Sequence, residues 1–540
     1  MSRTQPSTKP GTLQDSLARH AAERPDHPAL VCGSVQVTYQ ELDRRSDRTA
    51  QALTASGVRR GSRVAHFAAD SERFHEIVLA CAKTGAVLVP IDWRLTTAEV
   101  THILRDSGTE LLFFGPALAP LVQEAVPALP KLQHTVPLDA AGFEAWADDR
   151  PADTGFTAPA EADADTDTDT DTDTDTDTDT EVVQIYTSGT TGAPKGVVLA
   201  QRSFFAVAGM LAEHGLEWID WRADDRSLVC VPGFHIGGLW WAMQGLNAGV
   251  TNVLLPAFDS LRAVDLIREA GITTACMVPA MMRMILDEPN VGKPDFASLR
   301  KVVYGGSPIS DTLLRRGLDV FDCELAQIYG LTETGNTAVC LPPSEHRPGS
   351  PRLAAAGLPY PGVRMRIVDS RGDDVSTGEI GQVWLHTPAR MAGYWNLPDA
   401  TARTLVDGWI VTGDAGYRDE DGYLYIRDRI TDTIIVGGEN VYPAEVENAL
   451  CRHSAIAEAA VVGAPNPASG EEVRAYIVLR QGHDVPAAQE LTRFLSGQLA
   501  RFKIPARYQV IDVVPRNPSG KILRRKLREQ LWADNDRKVN

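Results

Sequence analysis

Residues 186 to 196 read Tyr186-Thr187-Ser188-Gly189-Thr190-Thr191-Gly192-Ala193-Pro194-Lys195-Gly196, directly after the apolar run Val182 to Ile185. Three glycines let a backbone approach an anion closely, while four hydroxyls from Ser and Thr and one lysine supply donors. A loop of this composition at the end of a buried strand suits a polyphosphate. It lacks the G-x-x-x-x-G-K-[ST] spacing of the phosphate loop in the common nucleotide hydrolases. The plain alternative is a Gly/Ser/Thr connector, but the density of donors favours phosphate.

Working outward, short apolar runs at 63–68, 111–114, 228–231, 253–255, 275–278 and 302–304 read as buried strands. Helical stretches follow several of them, as at 71–84 and 260–270. Strands alternating with helices from Leu13 to about Tyr329 imply parallel sheets with helical layers, an α/β fold. Residues 357–425 are rich in Gly, Pro, β-branched and aromatic residues, with strands expected at 364–368 and 381–386. That pattern predicts an antiparallel sheet or small barrel. After about Arg429 the sequence predicts an α+β unit of about 110 residues. Its helices are expected at 443–452 and about 487–500, and its strands near Ala460 and Tyr476.

The 540 residues are 43% hydrophobic and 23% charged, the profile of an ordinary soluble globular protein. Seven cysteines are scattered from Cys32 to Cys451, with no C-x-x-C pair or Cys/His cluster. This argues against a disulfide framework or a structural zinc site and predicts a reducing cytoplasm. Half of the net charge of −18 lies in one tract, where every second residue from Asp163 to Asp179 is Asp. The Asp-Thr tract, about 162–180, buries nothing and repels itself, so it is expected to be a disordered surface loop without a catalytic role. A calcium-binding reading lacks the glycines of a folded calcium loop. No basic face points to nucleic acid. No run of 18 apolar residues spans a membrane, and neither the polar first 14 residues nor the last four carry a targeting signal.

Other segments carry chemistry. Tyr329-Gly330-Leu331-Thr332-Glu333-Thr334 follows a predicted strand and places a hydroxyl and a carboxylate where parallel sheets hold ligands. A carboxylate beside a phosphate loop predicts an intervening cation, Mg²⁺. Thr412-Gly413-Asp414 offers a carboxylate to ribose hydroxyls, although alone it reads as a turn. Pro515-Arg516-Asn517-Pro518-Ser519-Gly520-Lys521 precedes a basic helix expected at 522–531. Its lysine is a loop-borne cation able to meet a phosphate.

Together these motifs resemble, in order and over nearly the whole chain, the acyl-adenylate-forming superfamily. That superfamily includes acyl-CoA synthetases, adenylation domains of peptide synthetases and beetle luciferases. Pro232-Gly233-Phe234-His235, Gly305-Gly306-Ser307-Pro308 and Asp428-Arg429 complete the series. The resemblance implies an N-terminal core at 1–430, of two α/β subdomains and a β-barrel, and a mobile C-terminal lid at 431–540. It implies that a substrate oxyanion attacks the α-phosphate of Mg·ATP and expels pyrophosphate, after which the lid rotates and a thiol attacks the mixed anhydride.

The resemblance also assigns roles. Thr187, Ser188, Gly189, Thr190, Thr191, Gly192 and Lys195 would form the phosphate loop. Gly305, Gly306, Ser307, Pro308, Tyr329 and Gly330 would contact the nucleotide, and Thr332 its α-phosphate. Asp414 and Arg429 would grip the ribose, Glu333 and Thr190 would hold Mg²⁺, and Lys521 would be the catalytic cation. Phe234, His235, Gly306 and Gly335 would line the acyl pocket, with His235 between nucleotide and acyl sites. Gly437 and Gly438 would line the thiol tunnel after rotation. At the hinge Thr431 stands where the family usually carries Asp or Lys. Trp240, Met277, Met281 and Met282 are expected to be core rather than pocket lining, whereas Trp241 stays open between the two. Arg474, Arg501, Lys503 and Arg507 are as readily CoA-phosphate partners as solvated charges.

The leading expectation is a cytoplasmic acid–CoA ligase that uses ATP, Mg²⁺ and CoA, its thiol supplied in trans because no carrier domain follows Lys521. The alternatives are an enzyme loading a carrier protein, one activating nitrite for diazotisation of an aryl amine, and an inactive nucleotide-binding scaffold. Retention of Lys195, Glu333, Asp414 and Lys521 speaks against the scaffold.

Overall fold

The strand Arg63–Phe67 is buried at every position and is flanked by parallel neighbours on both sides, Val87–Ile91 and Leu111–Phe114. Both faces of a parallel sheet are covered, so Val64, Ala65 and Phe67 are apolar, and the buried Arg63 is paired with Gln184 and Glu181. The computed structural model describes residues 11–147, 156, 178–187, 194–214, 216, 220–347, 349–517 and 520–532. The seven-stranded sheet built around Arg63–Phe67 ends in Glu181–Thr187, Lys195–Ala200 and Gly393–Tyr394. Glu181–Thr187 pairs antiparallel with Lys195–Ala200, with Thr187 opposite Lys195. The glycine-rich loop therefore joins two hydrogen-bonded partners, and its ends are pinned together. Ser188, Gly189, Thr190, Thr191 and Gly192 lie outside the described residues, as does nearly all of the Asp-Thr tract.

A nine-stranded sheet carries the second half of the α/β region. Its parallel centre contains Arg226–Val229, Thr251–Leu254, Thr274–Met277, Lys301–Gly305 and Glu324–Tyr329. One continuous hydrophobic cluster runs from both sheets through the helices Tyr39–Ala55, Glu72–Thr84 and Ile236–Ala248. Trp240 and Trp241 are buried in it, and Met277, Met281 and Met282 are buried in a second cluster on the nine-stranded sheet. Trp240 and the three methionines are core, as expected, and Trp241 joins them.

The region after Gly357 is antiparallel. Arg364–Val368 and Gly381–His386 pair, and Gly381–His386 lies against the long strand Trp409–Arg418. The other side of Trp409–Arg418 takes Leu405–Val406 and then Leu424–Arg429. A fourth sheet, of five strands around Gly470–Leu479, packs with Pro443–Cys451 and Ala488–Ser496 around its own cluster, in which Val446, Leu450, Val461, Leu491 and Leu495 are buried. The helix expected at about 487–500 stops at Ser496, capped at Gly497. The basic helix runs Arg524–Trp532, beginning two residues later than the sequence pattern suggests. Among the described residues no helix is long and apolar enough to cross a membrane.

Candidate active site

Antiparallel pairing of Trp409–Arg418 with Leu424–Arg429 sets Asp414 directly opposite Arg429. Arg429 Nε lies 2.6 Å from Asp414 Oδ1, and the Tyr329 hydroxyl donates to Oδ2 at 2.6 Å. Thr412 completes the corner: its hydroxyl donates to the Val383 carbonyl and accepts the Asp414 N–H. Both oxygens of a buried carboxylate are thus engaged, which fixes its orientation. Burial pulls the Arg429 guanidinium downward, but the Asp414 charge, with help from Glu333, more than offsets this, and it stays raised and charged. Burial and the Asp414 charge hold the Tyr329 phenol well above its usual range, so it remains a donor.

This corner opens on a cavity of about 330 Å³. Gly306, Ser307 and Pro308 line it at the end of Lys301–Gly305, and Lys521 lines it from the C-terminal unit. Gly305 has no room for a side chain, since a Cβ there would lie 2.4 Å from the Ile328 carbonyl oxygen. Burial and the Arg429 charge together lower the Lys521 amine, with Asp414 pulling the other way. The buried guanidinium of Arg524, one turn further on, donates to both carboxylate oxygens of Glu447 at 2.8 Å and anchors the helix that follows the lysine.

Thr332, Glu333 and Thr334 form a 3₁₀ turn closed by Gly335, whose left-handed φ of 72° suits glycine. A Cβ at Gly335 would also collide with the Ala389 carbonyl at 2.3 Å. Glu333 Oε1 accepts from the Tyr394 hydroxyl at 2.7 Å, and the Lys195 ammonium stands 5.1 Å from the centre of the Tyr394 ring. Trp395 donates its backbone N–H to Gly196 and its indole N–H to the Asp106 carbonyl. Tyr394 and Trp395 thus tie the end of the glycine-rich loop to the Glu333 turn. Sequence reading missed both; two adjacent aromatics after Met391-Ala392-Gly393 were the only signal.

At the other wall, Asp70 accepts the Gly233 N–H at 2.7 Å and fixes the turn that presents Phe234 and His235. Burial raises the Asp70 carboxyl to about 7 and lowers the His235 imidazole to about 4, so the histidine is neutral near pH 7. Its Nε2 is buried without a hydrogen-bond partner. Asn336 is a further residue that sequence reading missed. It has a φ of 88° and a buried, unpartnered Nδ2, and its Oδ1 lies 3.7 Å from where a Cβ on Gly237 would sit. A left-handed Asn is tolerated better than most residues. Two unpaired polar atoms at this wall leave hydrogen-bonding capacity for a substrate.

The remaining candidates lie apart from the cavity. Gly437 and Gly438 are exposed and left-handed, with no atom within 4 Å of a Cβ on either. Thr431 is exposed in the turn Ile430–Asp432, and its carbonyl accepts from Arg528. Arg474 pairs with Glu472 and Lys503 with Glu445, whereas Arg501 and Arg507 are exposed.

The family model described as AMP-binding enzyme matches residues 17–395, and that of the AMP-binding enzyme C-terminal domain matches residues 445–521. The chain is 56% identical over 535 residues to the fatty acid–[acyl-carrier-protein] ligase ScoC of Streptomyces coeruleorubidus, covering 98% of each chain. It is 35% identical to the indoleacetate–CoA ligase of Aromatoleum aromaticum, covering 96% of this chain and 98% of that one. Among solved structures, the anthranilate CoA ligase AuaEII in complex with anthranoyl-AMP superposes with a TM-score of 0.87 at 25% identity, covering 96% of this chain and 97% of that one. The chain belongs to the AMP-binding enzyme family and is an AMP-forming, adenylating ligase.

Proposed function

We propose that the protein adenylates a carboxylic acid and then passes the acyl group to the thiol of a phosphopantetheine arm carried by an acyl carrier protein. The observation that carries the reading is the single cavity holding the Tyr329–Asp414–Arg429 corner and Lys521 together. A carboxylate approaching a triphosphate is repelled, so rate must come from positioning and charge neutralisation. In the first step a carboxylate oxygen bonds to the α-phosphorus and the bond to the β-phosphate oxygen breaks, releasing pyrophosphate. Lys521 neutralises the developing charge, Thr332 holds the α-phosphate, and Asp414 with Arg429 grips the ribose. Glu333, with Thr190, would hold Mg²⁺, a hard cation that takes carboxylate, hydroxyl and phosphate oxygens. Bound there, Mg²⁺ supplies charge stabilisation to the phosphates. In the second step the thiol sulfur bonds to the acyl carbon, AMP leaves, and the thiol proton is released.

The hinge is placed at Thr431, with the core before it and the lid after it. Rotation there would bring Gly437 and Gly438 to the thiol path. The carrier protein is preferred as acceptor because the relative at 56% identity is a carrier-protein ligase. Free CoA is the second reading, supported by the 35% relative and by Arg474 lying beside Arg507 in adjacent strands of the lid. The test is pyrophosphate release across alkanoic acids, aryl acids and nitrite, each with CoA, with holo-carrier protein, or with neither. Acid-dependent release with thioester formed only on the carrier supports the proposal. Thioester on CoA at equal rate moves the acceptor assignment to CoA, and release with nitrite alone overturns the acyl reading.

A further inference from the structure

We infer that Arg283, Glu458 and Arg516 form a clamp across the cleft that positions Lys521 for adenylation. Arg283 belongs to the core helix Pro279–Asp287. Its Nη1 lies 2.9 Å from Glu458 Oε1 and donates to the Ala457 carbonyl at 2.8 Å, both on the lid strand Ile456–Asn466. The other oxygen of Glu458 lies 3.5 Å from Arg516 Nη2. Arg516 Nη1 in turn donates at 2.6 Å to the carbonyl of Gly520, the peptide that enters Lys521. One carboxylate therefore joins a core arginine to the arginine that holds the lysine loop.

The loop transmits this contact because it is itself braced. Asn517 accepts the Lys521 N–H on its side chain and donates its own N–H to the Lys521 carbonyl. Gly520, at a φ of 78°, rests against the same core helix: a Cβ there would lie 3.2 Å from Val278 Cγ2 and 3.4 Å from the Ala280 methyl. Lys521 is thus referenced to one core helix at two points, by packing and by charge. The three clamp side chains are 16–24% exposed. They are screened less than a surface pair, yet wet enough to part without leaving a buried charge. Arg283 and Glu458 stand on opposite sides of the hinge, so their contact belongs to the arrangement in which Lys521 faces Asp414.

This assignment rests on the two-step reading above, and its test separates the two. Arg283→Met and Glu458→Gln are each expected to slow acid-dependent ATP–pyrophosphate exchange by about tenfold or more, because misplacing a catalytic group by a fraction of its reach has effects of that size. Conversion of supplied acyl-adenylate to thioester should stay within about twofold of wild type, and the double variant should be no slower in exchange than the worse single variant. Arg283→Lys should recover part of the exchange rate. Unchanged exchange in both single variants overturns the clamp, as does an equal fall of both half-reactions with a lowered Tm. A wild-type enzyme that shows no exchange with any acid overturns the two-step reading, and the clamp with it.

Discussion

Asp414 and Lys521 face the same cavity, but they are held there in opposite ways. Asp414 sits in the middle of a ten-residue strand with hydrogen-bonded neighbours on both sides, and both its oxygens are engaged. Lys521 sits in a loop of a unit with a separate hydrophobic cluster, and it is referenced to the core through two arginines sharing one glutamate. On the proposed reading the corner is the fixed nucleotide grip, whereas the cation comes with the unit proposed to rotate away. A two-step ligase needs this division. The adenylate must stay gripped through both steps, but the charge that assists attack on phosphorus is needed only in the first.

The largest expected effect is on the fixed side. The Asp70 carboxyl is raised from 3.8 to about 7 by burial, so the folded protein holds a proton that the unfolded chain has lost between those values. Stability from this group is complete below about pH 4 and is lost as pH rises through 7, by about 4 kcal/mol. Asp70→Asn keeps an acceptor for the Gly233 N–H and should flatten that slope. Thermal unfolding at pH 4.5 and 8 checks it, and an unaltered difference between variant and wild type would break the claim that buried polar bonds anchor this wall.

Next comes Asp414→Asn, which removes the charge facing Arg429. Hydrogen bonds to charged groups contribute about 1.5–3 kcal/mol, so kcat/KM for ATP should fall about 10- to 100-fold. If the corner grips acyl-AMP as proposed, conversion of supplied acyl-adenylate should also weaken. A variant impaired only in the first step would erase the contrast between corner and lid.

The smallest expected effect is on pH dependence. Burial and the Arg429 charge lower the Lys521 amine, so the free enzyme loses its cation as pH rises, before an ordinary lysine would. The alkaline limb of kcat/KM for ATP should lie below the usual lysine range. It should move upward in kcat, where bound polyphosphate favours the charged form. An identical limb in Lys521→Arg would assign it to another group.

Much of this was legible because the family motifs sit in loops where strands end. The strands at 111–114, 364–368 and 381–386 were read at their observed bounds. Val87–Ile91 was passed over: it contains Pro90, and a proline within an apolar run argues against a central strand. The contacts that assemble the site were not legible at all. Tyr394 reaches Glu333 across 61 residues, and Arg283 reaches Ala457 across 174. A tyrosine or arginine with no motif around it gives no sign of such a partner until the chain is folded. Asn336 shows the same limit: its neighbours Thr332 to Gly335 were read, but the unpaired amide is a property of the packed wall.

The measurement closest to the central claim is a comparison of half-reactions in Lys521→Ala. ATP–pyrophosphate exchange should fall about 10²- to 10³-fold, the effect of removing one donor aimed at developing charge. Thioester formation from supplied acyl-adenylate should remain near the wild-type rate. Equal loss in both half-reactions would contradict the account, because the lysine would then serve the fixed grip rather than the step the lid supports.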